Sequence, residues 1–143
     1  MKILIIDGQG GNIGRSLAEK ITAAFPGEEI TAVGTNSAAT ANMLKASGIR
    51  AATGENALKV ACKKAGVIIG PIGIIAADSL MGEVTAEMAA AVGSSDAVKI
   101  LIPMAQCGIF VAGVREAGAS KLIEDALEIL RTVIDASQKG IIS

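Results

Sequence analysis

The chain has 143 residues and a mass of 14.3 kDa, enough for one domain with a real core and too little for two. Hydrophobic residues make up 51% and charged residues 19%, a globular and not a disordered composition; Lys+Arg 13 against Asp+Glu 14 leaves a net charge of -1, with no basic field for a nucleic-acid backbone or an anionic membrane. With no His, Tyr or Trp, the chain excludes histidine triads, histidine metal sites, tyrosine general acids and most base-stacking platforms.

In chain order, short apolar runs alternate with helical patterns. Ile3-Leu4-Ile5-Ile6 is a largely β-branched run that suits a strand covered on both faces. A glycine-rich segment follows, and then Ile13, Leu17, Ile21, Ala24 and Phe25 recur at helical spacing until Pro26-Gly27. Residues 30–33 form a second strand, and a helix from near Asn36 ends at Ser47-Gly48. Residues 49–52 read as a short third strand. Thr53 is expected to cap a helix from Glu55 to about Ala65, with Leu58, Ala61 and Cys62 inward. Residues 67–69 give the fourth strand, broken by Gly70-Pro71-Ile72-Gly73.

Residues 76–92 read as one or two helical pieces interrupted around Gly82, with Thr85 as a cap. A fifth strand covers residues 99–102, and residues 109–114 offer an added edge strand. The strongest helix runs from Ser120 to about Lys139, with Leu122, Ile123, Ala126, Leu127, Leu130, Val133 and Ile134 as its apolar stripe and Gly140 as its stop. Repeated βα units imply a parallel sheet joined by right-handed crossovers. The expected fold is therefore α/β: one Rossmann-like, three-layer domain over residues 1–143. Its doubly wound parallel sheet would have about five strands, ordered 3-2-1-4-5 at the centre.

The candidate site begins with Asp7-Gly8-Gln9-Gly10-Gly11-Asn12-Ile13-Gly14. Glycines let backbone amides approach a phosphate, and the helix that follows turns its positive end to the same place. The register of G-x-G-x-x-G is imperfect, because Gln9 stands where the first glycine belongs, but the strand–loop–helix context is the one the motif requires. The alternative is a turn that only lets strand and helix pack closely. At the end of the second strand, Thr35, Asn36 and Ser37 replace the acidic residue of an NAD site. Their small donors favour NADP over NAD, although no arginine is near and helix capping explains Thr35 or Asn36 equally well. Gly70, Pro71, Ile72 and Gly73 form a third loop flanking the topological switch point, where a ribose or nicotinamide would lie; their apolar neighbours suit a core or an interface too.

Reactive groups are scarce, and no catalytic residue is assigned. Asp7 at the strand tip would bind a ribose or a metal, or merely cap the loop. Asp78, Ser79 and Glu83 read as solvated helix residues. Cys107 lies on the expected ligand edge without a histidine to activate it, and Cys62 reads as helix packing. The two cysteines match neither a disulfide framework nor a zinc spacing, so no metal is expected and a reducing cytoplasm is the default. The first apolar run is too short for a secretory signal, and no uncharged stretch reaches the roughly 18 residues of a membrane span. A homo-oligomer, most simply a two-fold dimer, is expected from the apolar residues Ile74, Ile75, Leu80, Met81, Val84 and Met88, which look more numerous than one helix face needs.

Five segments resemble one family: Ile-Asp-Gly-Gln-Gly-Gly at 6–11, Gly-Thr-Asn at 34–36, Ala-Thr-Gly-Glu-Asn-Ala at 52–57, Gly-Pro-Ile-Gly-Ile at 70–74 and Lys-Ile-Leu-Ile-Pro at 99–103. It is the small bacterial family called domain of unknown function 3842, and the resemblance covers nearly the whole chain. It implies a Rossmann-like cytoplasmic protein and no particular activity. Three functions remain open on the residues: a protein binding a nucleotide or NADP-type dinucleotide through its phosphate, an enzyme on a small phosphorylated or carboxylated metabolite, or an oligomeric interaction module with a purely structural glycine loop.

Overall fold

A computed structural model describes residues 1–104, 108–115 and 117–140. Five strands, β1 (Lys2–Asp7), β2 (Glu29–Gly34), β3 (Arg50–Thr53), β4 (Val67–Pro71) and β5 (Val98–Ile102), alternate with five helices. These are α1 (Asn12–Ala24), α2 (Ser37–Met43), α3 (Glu55–Lys64), α4 (Ala86–Gly93) and α5 (Ala119–Gln138). Every strand pairing is parallel, and the order across the sheet is β3-β2-β1-β4-β5, as the sequence predicts. The architecture is a single-domain α/β fold with a five-stranded all-parallel sheet, consistent with a Rossmann-like fold.

The pleat of the central strand divides the core. Successive side chains of a strand point to opposite faces. Ile3 and Ile5 accordingly join Leu17 and Ile21 of α1 and Ile123, Leu130 and Ile134 of α5 in one apolar cluster. Leu4 and Ile6 join Leu58 of α3 and Met88 and Val92 of α4 in the other. All four β1 residues are buried, which is why the run is continuously apolar and not alternating. The chain steps outward from β1 through β2 to β3 and then returns beside β1 as β4. The carboxyl ends of β1 and β4 are therefore neighbours from which the chain departs in opposite directions.

The structure corrects several local expectations. Residues 109–114 belong to no strand; a turn closes there, with the amide of Val114 donating to the carbonyl of Val111. Thr53 does not cap α3: its hydroxyl pairs with that of Thr40 at 2.7 Å, and Gly54, at φ +100°, takes the capping position. Residues 76–92 are not helical throughout. A 3-10 turn (Ile72–Ile75) leads into a non-helical strap, and α4 starts only after Thr85, whose hydroxyl accepts from the amide of Met88 as expected of a cap. The apolar residues offered as an interface are largely internal: Ile74, Val84 and Met88 are buried in the second cluster and Leu80 packs against it, leaving Ile75 and Met81 exposed. That argument for a dimer is thereby removed.

The edges of the sheet are short and charged. β3 has four residues, and its exposed Arg50 lies 3.7 Å from Glu29 of β2. β5 carries Lys99, whose ammonium donates to the carbonyl of Ser95 at 2.6 Å.

Packing by itself requires glycine at position 70. A Cβ on it would fall 2.2 Å from the carbonyl oxygen of Ile6 in β1, a backbone atom that cannot turn aside. Gly70→Ala is expected to destabilise the domain by about 3 kcal/mol, the upper range of overpacking. Gly93→Ala, where an added methyl meets nothing within 4 Å, should be neutral or stabilising. Urea midpoints of the two variants check this pair.

Candidate functional site

The site is built on the buried carboxylate at the tip of β1. Asp7 is 6% exposed, and its two oxygens accept from the amides of Gly8 at 2.8 Å and Gly14 at 2.7 Å. Asp7 thus fastens the start of the glycine loop and the first turn of α1 to one point. Burial raises its carboxyl above the ordinary value, against the lowering effect of the Gly14 and Gly8 amides, and the nearby charge of Glu83 adds to the rise. The reading of Asp7 as a loop cap fits these contacts.

The rest of the loop is held by α2. Asn42 donates to the carbonyl of Gly10 and to the side-chain oxygen of Asn12, both at 2.9 Å. Asn36 donates to the carbonyl of Gln9 at 2.9 Å while its own oxygen caps α2 through the amide of Ala39. Gly11 lies at φ +73°, and a Cβ there would meet the backbone of Ala39 at 2.8 Å, so the loop is pressed directly onto α2. The amide of Gly11 closes a turn on the carbonyl of Gly8 at 2.9 Å.

What remains is a set of donors. Among the described residues, the amides of Gly10, Asn12 and Ile13 have no protein acceptor, and α1 has no side-chain cap. They border a cavity of about 260 Å³ lined by Asp7, the loop 8–13, Pro71, Gly73, Leu80, Met104 and Ala119. No lysine or arginine is among these lining residues. An anion there would be held by amide dipoles and the positive end of a 13-residue helix.

The structure brings together only part of the expected site. Asp7, Gly8, Gln9, Gly10, Gly11, Asn12, Ile13, Pro71 and Gly73 share the cavity; Thr35, Asn36, Ser37, Gly70 and Ile72 do not line it. Ser37 is exposed at the first turn of α2, and Ile72 begins the 3-10 turn. Thr35 and Asn36, whose donors favoured a 2′-phosphate, are engaged by Glu83. One oxygen of that carboxylate accepts from the Thr35 hydroxyl at 2.7 Å, the Asn36 amide group at 2.7 Å and the backbone amide of Gln9 at 2.8 Å. Desolvation acts to raise the Glu83 carboxyl, but these three donors outweigh it and hold it below the usual carboxylate value. Glu83 is therefore not a solvated helix residue. Sequence reasoning also missed Asn42 and Leu80. Cys107 lies outside the described residues.

A larger groove of about 650 Å³ lies between α3 and α4, beside Cys62 and residues 94–97, at the amino ends of β4 and β5. Ligands of open parallel sheets bind at the opposite, carboxyl edge. Burial pushes the Cys62 thiol up to about 11, against the charge of Lys99, so at neutral pH it is a protonated, unreactive packing group. Among the described residues, no group of three or more Cys, Asp or Glu side chains is placed to hold a metal ion, and no helix is long and apolar enough to cross a membrane.

Asp7→Asn, which sets a side-chain NH₂ against one of the two buried amides, should cost about 1–3 kcal/mol at neutral pH. The folded-state carboxyl is raised, so the folded protein binds the extra proton and wild-type stability falls as pH rises through the window above the ordinary Asp value. The gap between wild type and Asp7→Asn should therefore narrow from pH 4 to pH 7. Glu83 is lowered and acts in the opposite sense: its contribution is present above the ordinary Glu value and is lost as pH falls. Urea unfolding of both proteins across that range separates the two.

No curated protein and no solved structure gives a significant match to the chain. The family model described as Domain of unknown function (DUF3842) matches residues 2–135, which takes in all five strands and the whole glycine loop. The chain is a member of that family.

Proposed function

We propose that this protein binds a small phosphorylated ligand, its phosphate seated on the amides of Gly10, Asn12 and Ile13. The observation that supports this reading is a set of three unpartnered amides, among the described residues, in a loop that lines a cavity and whose Gln9 and Gly10 carbonyls are taken up by Asn36 and Asn42. In this reading the sheet is doubly wound, with α1 and α5 on one face and α3 and α4 on the other, and the ligand lies at its switch point.

The cavity favours a compact ligand. Its 260 Å³ lies below the roughly 300–1,000 Å³ common for drug-sized ligands and cofactors. An NADP-type dinucleotide belongs to the same chemical class but needs space on the β2 side, where Leu80 and Glu83 press against Gly8. A phosphorylated metabolite or a nucleoside monophosphate suits the space better. Among the described residues, no side chain lining the cavity is a ready nucleophile, which favours binding over catalysis. A cytoplasmic setting belongs to the same proposal, since its candidate ligands are metabolites.

Gly11→Val is a poor test, because its side chain would strike Ala39 and disturb α2 whether or not a ligand binds. Asn12→Pro is better: it removes one of the three donors at the first helical position, where proline is tolerated. Calorimetric titration with inorganic phosphate and adenosine 5′-monophosphate is expected to show binding to wild type. Asn12→Pro should weaken it at least tenfold while the far-UV spectrum is retained. Undiminished affinity in a folded variant overturns the placement.

A further inference from the structure

Next to the proposed phosphate site lies a second anion cradle, and an anion already fills it. The Gln9 amide, the Thr35 hydroxyl and the Asn36 side-chain NH₂ converge on one oxygen of Glu83 within 2.7–2.8 Å. Three donors meeting at a point, with no cation among them, form a hydrogen-bonding shell that suits a carboxylate or phosphate oxygen. They come from the β1 loop and the β2 tip, whereas Glu83 reaches them from a segment 74, 48 and 47 residues away in sequence.

That segment, residues 76–85, is built under strain. Asp78, Leu80 and Met81 all have positive φ, at 64°, 53° and 57°, beside Gly82 at 86°. Non-glycine residues rarely adopt this region, and a series of three persists only when other contacts hold it. Its outer part has few such contacts: Met81 at the tip is 95% exposed. The segment is anchored at its end by Val84, buried in the second cluster, and by the Thr85 hydroxyl donating to Glu55; its other inner contacts are Glu83 in the cradle, Leu80 against Gly8 and in the cavity wall, the Ser79 hydroxyl on the carbonyl of Gly73, and turn hydrogen bonds within the strap.

We infer that residues 76–85 form an autoinhibitory strap, and that Glu83 is an internal occupant of an anion site which a ligand with a second anionic group must displace. The inference rests on the phosphate reading of the adjacent cavity. A ligand carrying one phosphate uses the amides of the glycine loop and leaves the strap closed. A ligand carrying a second phosphate on its ribose competes with Glu83 for Thr35, Asn36 and Gln9, and is disfavoured as long as the carboxylate stays. The strap thus selects for compact ligands with a single phosphate and releases a larger site when it opens.

The test uses Glu83→Ala and Glu83→Gln, with inorganic phosphate and adenosine 2′,5′-bisphosphate as probes and amide hydrogen exchange as a ligand-free readout. In Glu83→Ala, bisphosphate affinity should rise at least tenfold more than phosphate affinity changes. Glu83→Gln, which keeps an oxygen for the donors but loses the charge, should fall between. Exchange at Gln9 and at residues 82–84 should accelerate at least tenfold in Glu83→Ala while the β1 amides are unchanged. Bisphosphate affinity that is unchanged or lowered, with phosphate still bound, overturns the competition. If phosphate binds neither protein, the function proposed for the cavity fails, and the exchange data alone decide the strap: unaltered protection at Gln9 and residues 82–84 overturns it.

Discussion

A carboxylate shut into the end of a hydrophobic strand is an expensive thing to fold, and the site depends on how Asp7 offsets that cost. Removal from water penalises its charge, and among the described residues the amides of Gly8 and Gly14 answer it. To reach both, the chain between them must curl back on itself, which places Gln9 and Gly11 in left-handed conformations and starts α1 directly over the strand tip. The inner amides are thereby used internally. The asparagines of α2 take the outward carbonyls of Gln9 and Gly10. The amides of Gly10, Asn12 and Ile13 are what this arrangement leaves without a partner among the described residues.

Such a site would bind by dipoles and not by charge. The cavity has no lysine or arginine among its described lining residues, and Asp7 and Glu83 place two carboxyl groups beside the loop. Against them stand the amides and a helix end equivalent to roughly half a positive charge. An anion held this way gains little from long-range attraction. Its affinity comes from short, directed hydrogen bonds and is sensitive to small displacements of the loop.

The sheet was readable in the sequence because burial on both faces writes itself as unbroken apolar runs. Residues 3–6 and 67–69 could hardly be anything else, and the stripe of α5 was equally plain. The strap was not readable. Leu80 and Met81 carry no mark of a left-handed backbone, and only Gly82 hinted at the break. Glu83 was opaque for another reason: its partners lie far away in sequence, so no local spacing could connect them. Glycine itself was ambiguous. Gly10 borders the cavity and Gly70 yields to the carbonyl of Ile6, yet a missing side chain looks the same in either role. Thr53 had the right chemistry for a cap and a closer partner in Thr40.

The charged margins of the sheet bear on how its edge strands would meet another strand. Parallel strands with unpaired outer hydrogen-bonding groups invite further strands to add, and a chain with a mean hydropathy of +0.55 gives little polar protection elsewhere. At β3 a newcomer would find four residues to pair with and an arginine at the first of them; at β5 it would have to accommodate Lys99. A short strand that begins on an exposed arginine is the kind of margin that in general discourages sheet extension, and here it stands at β3.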